Sequence, residues 1–474
     1  MATPEHIQIK PERLTSTGIY QRRPLPTETA AKASQLLQRN HDNYHICIHD
    51  LGIHNHIVHH ILALCALGAT ATQLDKAYNL ATASQKPTRE PDARRVLDFA
   101  DPAKFKLCLG KGKYYDEYLA FFQKEISANG VADTVNEFLF KGDERAEDML
   151  ERFFSGFLHC PIHLGYAIEF DQPVLAAEAL AMTAVHESSF GEILKLVEQS
   201  SHLAPESKGM VDIQEGIYNN DKLRKAMHYE HGVFQIRDGL LVNARTEFLH
   251  AIASWKVEPH ELEEKTAECL NAATYWTTLA QRPDKQIRLD FFLMHSITAG
   301  SFWPVLNSVP WIPLSAKCRL LEWKGRSDLM LYCQCGAPRP YPEELIKYKP
   351  VRPSGWEDVF TRACDYADDG HLVKIIRGVA TAAQLTKPYV GNPRFKLTTD
   401  QEFLTLAHMV IDSGEQFNRE SVIRETEMVN DRLEYPRLMS VEIQKVTARW
   451  PRHVGFAESW FHVPARKSQS QSQL

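Results

Sequence analysis

His54-Asn55-His56-Ile57-Val58-His59-His60-Ile61-Leu62-Ala63-Leu64-Cys65-Ala66-Leu67, closed by Gly68, is the stretch from which the rest of the chain is read. Its apolar run is too long and too continuous for a half-buried strand and ends on glycine, so residues 54–67 are read as a helix. On a helix His56 and His60 are four apart and His59 sits one turn from His56, so at least two imidazoles share a face. The chain has 21 histidines, and seven of them fall between His41 and His60. Imidazole suits borderline transition metals, which makes a histidine pair on an otherwise apolar helix a seed for a metal site.

Working outward, helical patterns continue to Ala83 beyond a Gly68-Ala69-Thr70 break. The segment 85–91 is a proline-broken polar loop, either a lid or a plain connection. Residues 113–159 read as two helices around Asn129-Gly130. Asp171-Gln172-Pro173 supplies a cap and an early-turn proline for a helix whose next dozen residues carry one charge, Glu178, so it must be buried nearly all round. Residues 198–222, rich in Ser, Pro, Gly, Asn and Asp, read as a mobile loop. Helical periodicity returns over 244–255, 259–281, 289–302, 356–365, 371–385 and 399–413, and strand-like alternation is scarce throughout. The expected fold is mainly α, an irregular multi-helix bundle with little or no sheet and no fixed repeat. An amino-terminal arm (1–40) packs on one large helical domain (41–465), and a low-complexity tail (466–474) is disordered.

Hydrophobic residues make up 44% of the chain, enough for a sizeable core, and the formal net charge of −6 offers no basic field for nucleic acid. No run is long enough to span a membrane, and the amino terminus lacks a signal-peptide core. Nine scattered cysteines indicate a reducing, cytoplasmic location rather than a disulfide framework. Cys333-Gln334-Cys335 alone is weak evidence for zinc.

Polar residues in apolar surroundings carry the functional reading. His295 is the lone titratable group between Asp290 and Trp303, so burial demands a hydrogen bond or a metal for it. His159 and His163 flank a proline-interrupted helical segment, where side chains can be aimed into a cavity. After the Asp368-Asp369-Gly370 cap, His371 and Lys374 share one face of an apolar helix. A buried lysine is costly unless it is neutral, converted by carbon dioxide to a carbamate, paired with Asp365 or Asp368, or reaching solvent. Cys108-Leu109-Gly110-Lys111-Gly112 falls short of a dinucleotide fingerprint, and there is no P-loop, His-Glu-x-x-His or Gly-x-Ser-x-Gly. His228-Tyr229-Glu230 begins a facial-triad pattern but lies in a polar stretch.

Taken together, His54–Ala69, Pro161–Phe170, Asp290–His295 and Asp369–Lys374 resemble, in order and over about residues 40–465, the questin oxidase-like family of fungal polyketide-tailoring enzymes. The resemblance implies oxidative opening of anthraquinone or related rings, in part of the family by a non-haem iron oxygenase with a histidine-rich centre. The chain departs from the pattern at Cys65, where an aromatic is expected, and at His159-Cys160 before the proline. On this basis one or both of His56 and His60, with His163, His295 and His371, are expected to hold one iron, and Lys374, free or carbamylated, to add a ligand. Tyr166 and Glu169 are candidates for proton transfer or for structural support, and Phe291, Phe292, Phe302 and Trp303 for flat pocket walls. The expected partners are an aromatic polyketide and dioxygen. The alternatives are an NADPH- or flavin-dependent Baeyer–Villiger-type monooxygenase, a zinc hydrolase, and a non-catalytic helical binding protein.

Overall fold

The computed structural model describes residues 2–11, 17–48, 53–83, 85–424 and 449–466, with backbone alone for 420–424. The architecture is mainly helical, as expected. Pairing between extended segments in the described residues is limited to isolated bridges such as Cys47 with His54 and Lys285 with Ala465. The long helices that build and surround the centre are α1 (Thr27–Asn43), α2 (Ile57–Ala66), α3 (Tyr115–Val135), α4 (Ser155–Glu169) and α5 (Pro173–Val185). They continue with α6 (Leu262–Leu279), α7 (Met294–Gly300), α8 (Leu314–Gln334), α9 (His371–Thr386) and α10 (Asp400–Arg424).

All ten residues of α2 are buried, including His59 and His60. A helix apolar on every side belongs in the middle of a bundle, and α2 accordingly packs on α1, α4 and α9. The same reasoning places α5, buried from Val174 to Val185, between α3 and α4. Helix α7 closes the inner group by packing on α4, α6 and α9. The first residues of the chain lie across the start of α5, where Gln8 and Gln172 exchange two hydrogen bonds of 2.9 Å, each between a main-chain group and the Gln172 amide. The boundary expected at residue 40 falls inside α1.

Several elements differ from the sequence reading. Helix α2 starts at Ile57, so His56 is its cap and His54 pairs with Cys47 outside it. The segment 198–222 contains the helix Met210–Asn219, whose Met210, Val211, Ile213, Gln214 and Ile217 form a buried stripe at helical spacing. Its flanking Ser, Pro and Gly residues masked that stripe. Helix α8 was not anticipated, because Lys317, Arg319, Glu322, Lys324, Arg326 and Asp328 interrupt its apolar pattern. In the fold these charges are largely matched within the protein, as in the fully buried Lys324–Asp328 and the Arg326–Glu322 pairs. The loop 85–91 is held by Arg89, whose guanidinium bonds Glu117 and the Lys113 carbonyl. The tail from residue 467 lies outside the described residues.

Two local features set up the centre. Helix α9 is capped by Asp368, whose carboxylate accepts from Gly370 N at 2.7 Å and Leu372 N at 2.9 Å. Gly370 has φ +90°, and a Cβ there would lie 2.6 Å from the Cβ of His60, so glycine lets α9 start against α2. Helix α4 opens with Gly156, Phe157 and Leu158 at φ 55°, 53° and 65°. Two non-glycine residues in the left-handed region are strained, by about 1–3 kcal/mol each, and the next residue is His159.

Candidate metal centre

Helices α2, α4, α7 and α9 bring four imidazoles into a closed ring: His56 at the cap of α2, His159 on α4, His295 on α7 and His371 on α9. Successive ring centroids are 5.0 Å apart for His56–His159, 5.1 Å for His159–His295, 5.4 Å for His295–His371 and 4.7 Å for His371–His56.

The protein fixes the tautomer of all four. His56 Nδ1 donates to Asp369 Oδ2 at 3.0 Å and His371 Nδ1 to Asp369 Oδ1 at 2.6 Å. His159 Nδ1 donates to the Gly156 carbonyl at 2.6 Å and His295 Nδ1 to the Phe291 carbonyl at 2.8 Å. Carbonyls and an ionised carboxylate accept only, so each proton sits on Nδ1 and each Nε2 keeps a bare lone pair. Burial, opposed by hydrogen bonding to both imidazoles, leaves the Asp369 carboxyl well below its ordinary value, because His371 and His56 outweigh it. Among the described residues, the Nε2 atoms of His295 and His371 are buried without a partner. Those of His56 and His159 face each other at 2.9 Å. Two lone pairs at that distance repel unless a cation lies between or beside them. Burial lowers His56 to about 4 and His159 well below 6.5, so a ring proton does not meet that need at neutral pH.

Lys374, one turn beyond His371, is 3% exposed and its Nζ has no hydrogen-bond partner among the described residues. Burial brings its amine down to about 8, with Asp369 and Asp368 acting in the opposite direction. The donor set is thus four neutral imidazoles and one amine that is neutral for part of the time, with Nδ1 partners of the kind that orient metal-bound histidine. These residues fit a borderline divalent metal. His56, Asp369 and His371 place potential ligand atoms within 4.8 Å of one another.

Of the residues singled out in the sequence, His56, His295, His371 and Lys374 are brought together. His60 is not in the ring; it packs against Gly370 at the start of α9. Its backbone N–H bonds the His56 carbonyl at 2.8 Å in the first turn of α2, while the His56 ring stacks with His59 at 6.3 Å. His163 is engaged on both ring nitrogens, by Glu178 at 2.8 Å and His59 at 3.1 Å, and has no lone pair left for the centre. Glu169 forms a two-point ion pair with Arg377. Tyr166 packs edge-on to Phe302 at 4.5 Å and along His59 at 5.5 Å. Phe291 lies 5.3 Å from His295 and 5.5 Å from His371, and Phe292 stacks on Phe157 at 4.7 Å. Trp303 packs instead on Phe154. Cys333 and Cys335 are buried free thiols, Cys335 bonding Asp290 at 3.3 Å. His228 stacks edge-on with His231 in a short helical turn remote in contact from the ring.

Four contributors were missed as site residues. His159 was noted in the sequence but not as a ligand. Asp369 was read as part of a cap, although an Asp two residues before a histidine can reach its Nδ1. His54 and His186 form a second layer, with Nε2 atoms 2.7 Å apart and the His54 ring stacked 3.9 Å from His159.

A family model for questin oxidase-like proteins matches residues 53–379, a span that includes every member of the ring and Lys374. Oxidoreductase AflY of Aspergillus parasiticus is 39% identical over 473 residues, covering 98% of this chain and 94% of that protein. Baeyer-Villiger oxidase ptaJ of Pestalotiopsis fici is 32% identical over 419 residues, with coverages of 87% and 94%. Questin oxidase of Aspergillus fumigatus is 32% identical over 429 residues, again covering 87% and 94%. This chain is therefore an oxidoreductase and belongs to the questin oxidase-like family.

Proposed function

We propose that the protein holds one non-haem iron among His56, His159, His295, His371 and Lys374 and uses dioxygen to cleave a ring carbon–carbon bond of an anthraquinone-type polyketide. The observation that carries the reading is the bare Nε2 pair of His56 and His159 at 2.9 Å, in a ring whose other two Nε2 atoms also lack partners. Iron bound there would supply the electron transfer through which dioxygen reacts with an electron-rich ring.

The chain's own residues do the rest. Asp369 holds two of the rings in register from one carboxylate, and the Gly156 and Phe291 carbonyls hold the other two. Burial of His159, His295 and His371, with the His56 side chain 11% exposed, restricts water at the ring. Lys374 joins as a neutral amine, or adds to carbon dioxide with loss of a proton to present an anionic carbamate oxygen. Phe157, Phe291 and Phe292 offer flat apolar faces beside the ring. The oxidoreductase names of the relatives favour oxidation over hydrolysis.

The name of the Pestalotiopsis relative favours a second reading, an NADPH-dependent Baeyer–Villiger oxidation of the same substrate class. Oxygen uptake by iron-loaded protein with a hydroxyanthraquinone, with and without NADPH, separates the two. Ring-opened product without NADPH, carrying both atoms of labelled dioxygen, is the expected result. Strict consumption of one NADPH per product would replace it with the second reading.

A further inference from the structure

A hydrogen-bonded chain outside the ring crosses five helices and ends on an unused nitrogen. On α5, Glu178 is 3% exposed and accepts from two histidines: His41 Nδ1 on α1 at 2.7 Å and His163 Nε2 on α4 at 2.8 Å. On the outer side the Gln123 amide nitrogen, which donates to the Pro4 carbonyl at 2.9 Å, lies 3.2 Å from His41 Nε2. That amide donor keeps His41 Nε2 an acceptor and its proton on Nδ1, facing Glu178. Burial opposes ionisation of Glu178, yet the two histidines hold it at about 2, so the group is a carboxylate.

The consequence propagates inward. A carboxylate against His163 Nε2 puts the His163 proton there and leaves its Nδ1 as a lone pair. That lone pair lies 3.1 Å from His59 Nε2, which must therefore carry the His59 proton. His59 Nδ1 is left as an acceptor. It is buried, without a partner among the described residues, on a ring 1% exposed that lies 5.5 Å from Tyr166 and 5.8 Å from His159. One buried carboxylate thus dictates, through two imidazoles, that the group beside the metal ring accepts a hydrogen bond and offers none. A buried acceptor left empty is unfavourable, so the working state supplies it with a donor.

We propose that His59 Nδ1 is the acceptor that recognises a ring hydroxyl of the aromatic substrate, and that Glu178 and His163 are the positioning residues that keep it an acceptor. The inference rests on the substrate class argued above and deepens it: the substrate must be hydroxylated, not merely aromatic. Sites built to bond a hydroxyl reject analogues that lack it.

The test measures binding of two probes, a monohydroxyanthraquinone and unsubstituted anthraquinone, to metal-free protein by fluorescence quenching, so that no turnover is needed. Wild type is expected to prefer the hydroxylated probe by about tenfold. His59→Phe should reduce that preference to about one while retaining the iron content of wild type, and Glu178→Gln should reduce it in part. Equal binding of both probes to wild type, which needs no variant to fold, would overturn the proposal. So would undiminished preference in His59→Phe, or loss of iron from it, which would make His59 a ligand. Failure of both probes to bind would instead remove the anthraquinone reading and this inference with it, leaving the iron assignment to stand on metal content.

Discussion

Lys374 and Arg377 are buried cations one turn apart on the same helix, and the fold treats them in opposite ways. Arg377, 2% exposed, is bonded by both oxygens of Glu169 and by the Tyr20 carbonyl at 3.0 Å. Among the described residues Lys374, 3% exposed, has no bonded partner, and neither do the Nε2 atoms of His295 and His371, two rings its charge acts on. A buried charge is tolerated when it is matched, as at Arg377 and again at Arg362 with Asp412 and Glu415. Where the protein leaves buried donors and acceptors unmatched in one cluster, the missing partner is something it binds. The Arg377 end therefore serves as frame, and the Lys374 end is the site proposed above.

The largest effect that tests this contrast is acid sensitivity. Burial lowers His56, His60 and His186 from 6.5 to about 4. In the window between those values the unfolded chain binds protons that the folded, metal-free chain does not, so stability falls as pH drops below about 6.5. Each group contributes roughly 1.4 kcal/mol per pH unit. Urea unfolding of metal-free protein should lose on the order of 5 kcal/mol between about pH 7 and pH 5. A flat profile would mean that these rings are not held neutral.

Next in size is the frame itself. Glu169→Ala strands the Arg377 guanidinium and should remove about 3–5 kcal/mol of stability in denaturant unfolding while leaving iron content intact. Unchanged stability with lost iron would reverse the roles assigned to the two ends. At the other end, His371→Ala should carry less than about a tenth of the wild-type iron by elemental analysis and lower turnover at least about 100-fold. Smaller again is Asp369→Asn, which keeps the shape but loses one of two acceptors for His56 and His371. Competition with a chelator should show iron affinity weakened by about 10–100-fold. An unaltered affinity would remove Asp369 from the account.

The same contrast explains what could be seen in the sequence. Helices such as α2, α5 and α9 are legible because their apolar residues leave little choice, and buried histidines stand out against them. Glu178 was visible as the single charge in α5, but its partners, His41 and His163, lie 137 and 15 residues away and no spacing rule connects them. Helix α8 was hidden by charges whose matching exists only in three dimensions. His163 and His159 illustrate the limit most clearly. Both sit on the same short segment, and the choice between them depends on a left-handed turn at Gly156 to Leu158 that aims His159 into the ring while His163 meets Glu178. His60 lies against Gly370 rather than in the ring, a placement set by the approach of α9 to α2 that spacing along one helix does not show.

Anomalous diffraction at the iron edge from iron-loaded crystals tests the central claim most directly. The account predicts one peak within bonding distance of Nε2 of His56, His159, His295 and His371, with Lys374 or its carbamate as a further ligand. A peak between His54 and His186, or no peak while the four rings keep their present hydrogen bonds, would contradict it.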